Sequence, residues 1–232
     1  MARKKLSKFI KFKTYPNCYI YKNGLRDYNF SDYKPENLIK LSNFNILELC
    51  AGYCEYGLEI AIQNLSNINC KVICVDIRSD RLTIGCRKSN ELKLTNINYL
   101  CKDINDINSV IPNKSVDRIL MVHPDPSTNN KKNRLNQIKY LEKYFNILKD
   151  DGIFVLITDN SSFYQETLSI IKNYELGVKI ILEEDNMEQN LQSKEIFINC
   201  VGLDIVKTRF NQEFVKDDNG TKVIILAKIE DK

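Results

Sequence analysis

The chain has 232 residues, 43% hydrophobic and 28% charged, with a formal net charge of +4. That is ordinary domain length with enough apolar residue for a core, which excludes a disordered chain, and no stretch approaches the ~18 apolar residues of a membrane span, so no membrane is expected. Residues 1–43 hold ten Lys/Arg against three Asp/Glu, a basic arm and packing segment ahead of a slightly acidic body over 44–232, and such asymmetry points either to a polyanionic partner or to a solvated tail.

From residue 44 short apolar runs alternate with helical patterns. "FNILEL" (44–49) reads as a buried strand. "YGLEIAIQNLS" (56–66) reads as a helix with Leu58, Ile62 and Leu65 on one face. "KVICVD" (71–76) is a second strand, and 79–94 a helix opening at Ser79. "INYLCKD" (97–103) and "DRILMVH" (117–123) are the third and fourth strands. An amphipathic helix over 136–152 ends at Gly152, and "IFVLITD" (153–159) follows as the fifth strand, then a helix over 161–174. A polar, acidic loop is expected at 183–194, and "EIFINC" (195–200) and "TKVIILAKI" (221–229) complete seven strands. Strand–helix alternation with continuous apolar strands predicts an α/β fold: a doubly wound, mostly parallel sheet of the Rossmann-like kind. The eight cysteines form no CxxC pair, and Met1–Lys13 builds no secretory signal. Reduced thiols, a cytoplasmic location and no metal site are therefore expected.

In such a sheet ligands sit beyond the carboxyl ends of the strands. The first strand runs out in Glu48-Leu49-Cys50-Ala51-Gly52-Tyr53-Cys54. Gly52 lets backbone approach a ligand closely. Asp76, ending the second strand, suits the hydroxyls of a ribose, and Asp103, ending the third, suits an adenine amino group. Each is equally at home as a turn residue or a helix cap; together they describe an adenosine pocket. The loop lacks the G-x-G-x-x-G spacing that cradles a pyrophosphate. Glu48 repels anions and suits a cation, such as the amino group or sulfonium of S-adenosylmethionine. The segment resembles motif I of class I methyltransferases, E-x-G-x-G-x-G, with Cys50 and Cys54 at the first and third glycines.

"HPDPS" (123–127), "NRLNQIKYL" (133–141) and "LKDDGIFVLITDN" (148–160) follow in order. This run resembles the tRNA (guanine-N7-)-methyltransferase family, which shows F-P-D-P-W, a Lys/Arg-rich loop, R-R-L, a helix, "LKPGG" and then "TDW". Thr208-Arg209-Phe210 echoes a later T-K-Y/F-E. His123 stands at the family's Phe, Ser127 at its Trp and Asn211 at its Glu. The resemblance implies methyl transfer from S-adenosylmethionine to guanine N7 of tRNA by a monomer or homodimer. N7 carries a lone pair and no proton, so no general base is needed. Asp125, fixed between two prolines beside the methyl and the cofactor, would steady the developing positive charge. Lys131, Lys132 and Arg134 would meet phosphate. By resemblance, Thr158, Asp159 and Thr208 would hold the guanosine. Two other readings fit less of this pattern. One is an amino methyltransferase of the D/N-P-P-Y/F kind, and the other a non-catalytic RNA-binding or partner protein on the same fold.

Overall fold

Continuous apolar strands need cover on both faces, and the helices between them supply it. The computed structural model describes residues 12, 14–20, 41–127, 134–208 and 220–229. The chain divides into two compact units, Met1–Val110 and Ile111–Lys232.

In the first unit, β1 (Cys18–Ile20), β2 (Phe44–Leu49), β3 (Cys70–Asp76) and β4 (Ile97–Cys101) lie parallel in the order β1-β4-β3-β2. β1 falls inside the expected N-terminal packing segment. Helix α1 (Glu55–Gln63) follows β2 and α2 (Ser79–Glu91) follows β3. A 3₁₀ turn, Ile104–Ser109, follows β4. α1 buries Tyr56, Gly57, Leu58, Ile60 and Ala61. Ile62 and Leu65, expected on one helical face with Leu58, are exposed while Leu58 is buried. The inward face is set instead by Gly57, whose missing side chain lets the helix backbone lie against the sheet.

In the second unit, β5 (Val116–Val122) and β6 (Leu148–Thr158) are parallel, and β8 (Lys222–Lys228) runs antiparallel between β6 and β7 (Val178–Glu184). Helices α3 (Ile138–Ile147), α4 (Ser161–Asn173) and α5 (Leu191–Val201) complete it. Tyr144 and Phe145 of α3 clasp Phe154 of β6, one ring stacked at 6.2 Å and the other edge-on at 5.6 Å.

Three boundaries differ from expectation. The helix expected to run to Gly152 stops at Ile147, and Leu148 takes extended backbone and starts β6. The pairing of β5 with β6 then shifts between Val116 and Arg118, and the bulge takes up Lys149–Gly152. A Cβ on Gly152 would lie 2.7 Å from the Lys149 carbonyl, so this glycine serves the bulge and not a helix cap. "EIFINC" is helical, within α5, because the Asn190 side chain caps the Ser193 amide and Gly202 closes the far end in left-handed backbone. The strand comes instead from "VKIILEE" in β7, which takes up the first residues of the expected loop. With β1, the described residues hold eight strands where seven were expected.

Candidate active site

The parallel registers bring the first unit's strand ends to one edge. Leu49 lies beside Val75, and Asp76 beside Cys101. The loop after β2, Asp76 and the start of the 3₁₀ turn at Asp103 therefore share that edge. Cys50, Gly52 and Cys54 all hold left-handed backbone, with φ of 58°, 51° and 63°. This is the conformation a glycine adopts without strain. The path of the turn is thus kept where cysteine replaces glycine. Asp76 pins it: Oδ2 accepts from the Gly52 amide at 2.9 Å, and Oδ1 from the Arg78 amide at 2.7 Å. Burial raises the Asp76 carboxyl above its ordinary pKa, and these two amides work in the opposite direction. Each oxygen keeps a further lone pair for a ligand hydroxyl. Asp103 accepts from the Asn105 amide at 2.9 Å and caps the 3₁₀ turn.

Glu48 faces the other way. It is 1% exposed. Its register partner is Cys74 on β3, whose thiol donates to Oε2 at 3.2 Å. The Gly57 amide donates to the same oxygen at 3.0 Å. Burial pushes the Glu48 carboxyl up to about 8, against the pull of these two hydrogen bonds. Expected as a direct contact for a cation, Glu48 instead supports the loop and α1 from below. The donor atoms of Glu48, Cys54 and Cys74 lie within 4.8 Å of one another, close enough to grip a soft divalent ion. Burial pushes the Cys54 thiol up to about 12 and the Cys74 thiol well above its ordinary value. Within this group the Cys74 thiol donates to Glu48, and the Cys54 thiol also donates to the Gly52 carbonyl at 3.8 Å.

In the second unit, Val122 lies beside Ile157, which brings the ends of β5 and β6 together. The His123 amide continues the ladder to the Ile157 carbonyl at 2.8 Å. The chain then turns through Pro124-Asp125-Pro126. Asp125 is exposed, and its Oδ1 accepts from the Ser127 amide at 2.8 Å. The Thr158 hydroxyl is buried and accepts from the Asn160 amide at 3.1 Å. Asp159 is partly exposed, and its Oδ1 lies 3.4 Å from Nδ1 of His123. That hydrogen bond is the main reason its carboxyl sits below the ordinary carboxylate range.

Arg134, expected at phosphate, is 3% exposed and ion-paired with Glu166 of α4. Its guanidinium fastens the end of the basic segment to the fold. Thr208 is buried. Lys131 and Lys132, and Arg209, Phe210 and Asn211, lie outside the described residues. The pairing of His123 with Asp159 and the tight seat of Gly57 were not foreseen. A Cβ on Gly57 would fall 2.4 Å from Cys74 Sγ and 2.7 Å from Glu48 Oε2. The sequence signal was a glycine one turn past the loop, the position where helix and strand approach most closely.

Residues 42–216 match the family model described as "Putative methyltransferase". A tRNA (guanine-N(7)-)-methyltransferase of Bacteroides fragilis is 26% identical over 226 residues, 96% of this chain and 84% of that protein. One of Christiangramia forsetii is 33% identical over 138 residues, 59% of this chain. The matched stretch spans only 60% of that relative's length. Among solved structures, a 16S rRNA (adenine(1408)-N(1))-methyltransferase from Catenulisporales acidiphilia superposes with a TM-score of 0.55 at 11% identity, covering 87% of this chain and 94% of that one. An rRNA methylase from Streptococcus thermophilus gives 0.53 at 10% identity, with coverage of 82% and 90%. At these identities the likeness is one of fold, and the fold is the Rossmann-like, mostly parallel α/β fold of class I methyltransferases. The chain belongs to the matched methyltransferase family, as its resemblance to the tRNA (guanine-N7-)-methyltransferases led us to expect.

Proposed function

We propose that this chain methylates guanine N7 in tRNA, with S-adenosylmethionine as methyl donor. The observation that carries the reading is the meeting of two strand ends. The Pro-Asp-Pro turn after β5 and Thr158-Asp159 at the end of β6 lie side by side, in a chain whose relatives carry this activity in their names.

The residues present fit the donor. Asp76 would take the ribose hydroxyls and Gly52 would let backbone pass close to the nucleoside. Asp103 would face the adenine, and Glu48 would hold the loop in shape from beneath. The donor supplies an electrophilic methyl group on a positively charged sulfur. The chain supplies alignment and charge. Guanine N7 needs no deprotonation, so no side chain has to act as a general base. What the reaction needs is the base held in line with the methyl group and water kept away. Asp125 would stand by the base as positive charge develops on it. Asp159, anionic and partly exposed, would accept from guanine N1–H and the 2-amino group, with Thr158 and Thr208 supporting the nucleoside. Lys131 and Lys132 would meet phosphate, and the basic N-terminal segment would add sequence-independent affinity. The left-handed backbone retained at Cys50, Gly52 and Cys54 favours a working loop over a non-catalytic partner protein. No helix among the described residues is long and apolar enough to cross a membrane. A cytoplasmic monomer or homodimer that needs no metal completes the reading.

The test is incubation of unmodified tRNA with the protein and labelled S-adenosylmethionine, followed by nucleoside mass spectrometry. 7-Methylguanosine is expected. Methyl label in another nucleoside, or none across a range of salt concentrations, would overturn the reading.

A further inference from the structure

His123 occupies backbone that few residues accept. Its φ is 42°, in the left-handed region, and it immediately precedes Pro124, where helical backbone is disfavoured by the proline ring. Such strain persists only where the surroundings fix it, and it gathers at functional sites. Two contacts fix it here. The His123 amide is held by the Ile157 carbonyl at 2.8 Å, and Nδ1 faces Asp159 Oδ1 at 3.4 Å. The imidazole side chain is 6% exposed while the Asp159 side chain is 28% exposed. The ring is therefore sealed behind a carboxylate that still reaches solvent. Among the described residues Lys222 of β8 also acts on Asp159, and its Nζ donates to the Asp185 carbonyl at 3.2 Å.

We infer that His123 is a positioning residue for base recognition: Nδ1 holds one oxygen of Asp159 so that the remaining acceptor positions of the carboxylate face the Watson–Crick edge of the target guanine. This rests on the role given to Asp159 above. A carboxylate has about four acceptor positions. His123 and the residue's own amide take two of them, and the two left match the two donors of guanine, N1–H and the 2-amino group. The same edge of adenine presents a lone pair at N1, which a fixed anion rejects. The left-handed turn is what makes the tether. It swings the histidine off the line of β5 and back toward the end of β6. The contribution is to binding and selectivity, since the imidazole meets the carboxylate and not the reacting atoms.

The experiment compares His123→Phe, which keeps bulk and loses the donor, with His123→Asn, which keeps a donor near the Nδ1 position and tolerates left-handed backbone. His123→Phe should raise KM for tRNA at least about tenfold, the lower end of what one charge-assisted hydrogen bond is worth, with kcat within about twofold. His123→Asn should stay within about twofold of the wild type in both. In carbon-13 NMR the Asp159 carboxyl should titrate below the ordinary range in the wild type and move upward in His123→Phe. An Asn variant as impaired as the Phe variant, or a wild-type Asp159 that titrates in the ordinary range, overturns the inference. If His123→Phe fails to fold, the Asn variant and the wild-type titration decide it. A wild-type enzyme that makes 7-methylguanosine while both variants match it sinks only the role of His123. A wild-type enzyme that makes none sinks the functional reading, and the positioning role with it.

Discussion

The Gly57 amide donates to Glu48 Oε2 at 3.0 Å, across a gap that leaves no room for a side chain. One hydrogen bond thus ties the first turn of α1 to the strand before it, and the loop between them is held at both ends.

Glu48 makes stability depend on pH. Its carboxyl is raised by burial from 4.5 to about 8 in the folded chain. Between those values the folded state holds a proton that the unfolded state has released. Stability is therefore full below about pH 4.5 and falls as pH rises toward 8, at a slope on the order of 1 kcal/mol per pH unit. Glu48→Gln mimics the protonated acid. Urea unfolding at a series of pH values should show a flatter alkaline limb in the variant, with little change near pH 5.

Gly57→Ala places a methyl group 2.4 Å from Cys74 Sγ. Helix α1 must lift or the sheet must spread. The expected cost is about 2–4 kcal/mol, overpacking together with a stretched hydrogen bond to Glu48. A drop in the urea midpoint with an unchanged m value would register it.

Asp76→Asn should weaken S-adenosylmethionine binding at least ~10-fold by calorimetry, about 1.4 kcal/mol, while leaving the melting temperature within a few degrees. Wild-type affinity in this variant would remove Asp76 from the cofactor's contacts.

Asp125→Asn tests the proposed role of this carboxylate in steadying positive charge on the base. We expect kcat to fall on the order of 100-fold, with KM for tRNA little changed. A change confined to KM would make Asp125 a binding group only.

The basic residues should separate into two kinds. Lys131→Ala with Lys132→Ala should weaken tRNA binding and reduce the slope of log Kd against log salt by about 1.5, with stability unchanged. Arg134→Ala should act on stability, because it empties a buried site and leaves Glu166 of α4 with Gln137 alone. Thermal melts and filter binding at several salt concentrations distinguish them.

How far the sequence could be read follows from the range of the forces involved. Strands β2 to β6 were legible because burial on both faces makes each a continuous apolar run. "EIFINC" misled because apolar content does not distinguish a short strand from a helix. The Asn190 cap and Gly202 stop carried the answer. β7 was overlooked because Ile180 and Ile181 are exposed and interrupt any alternation. Asp76 and Asp159 could be picked out as strand-end carboxylates from local pattern alone. Glu48 could not be seen to face inward, because that depends on how α1 seats on the sheet. Nor could Arg134 be seen to be occupied, because Glu166 lies 32 residues further along the chain.

The distribution of thiols has a practical use. Of the eight cysteines, six are buried and only Cys50 and Cys200 are partly accessible. A maleimide dye or nitroxide should therefore modify these two first, one in each compact unit. The wild-type chain already carries a pair of spectroscopic handles. Labels at the two positions would give one spectroscopic report from each unit, with no cysteine added or removed.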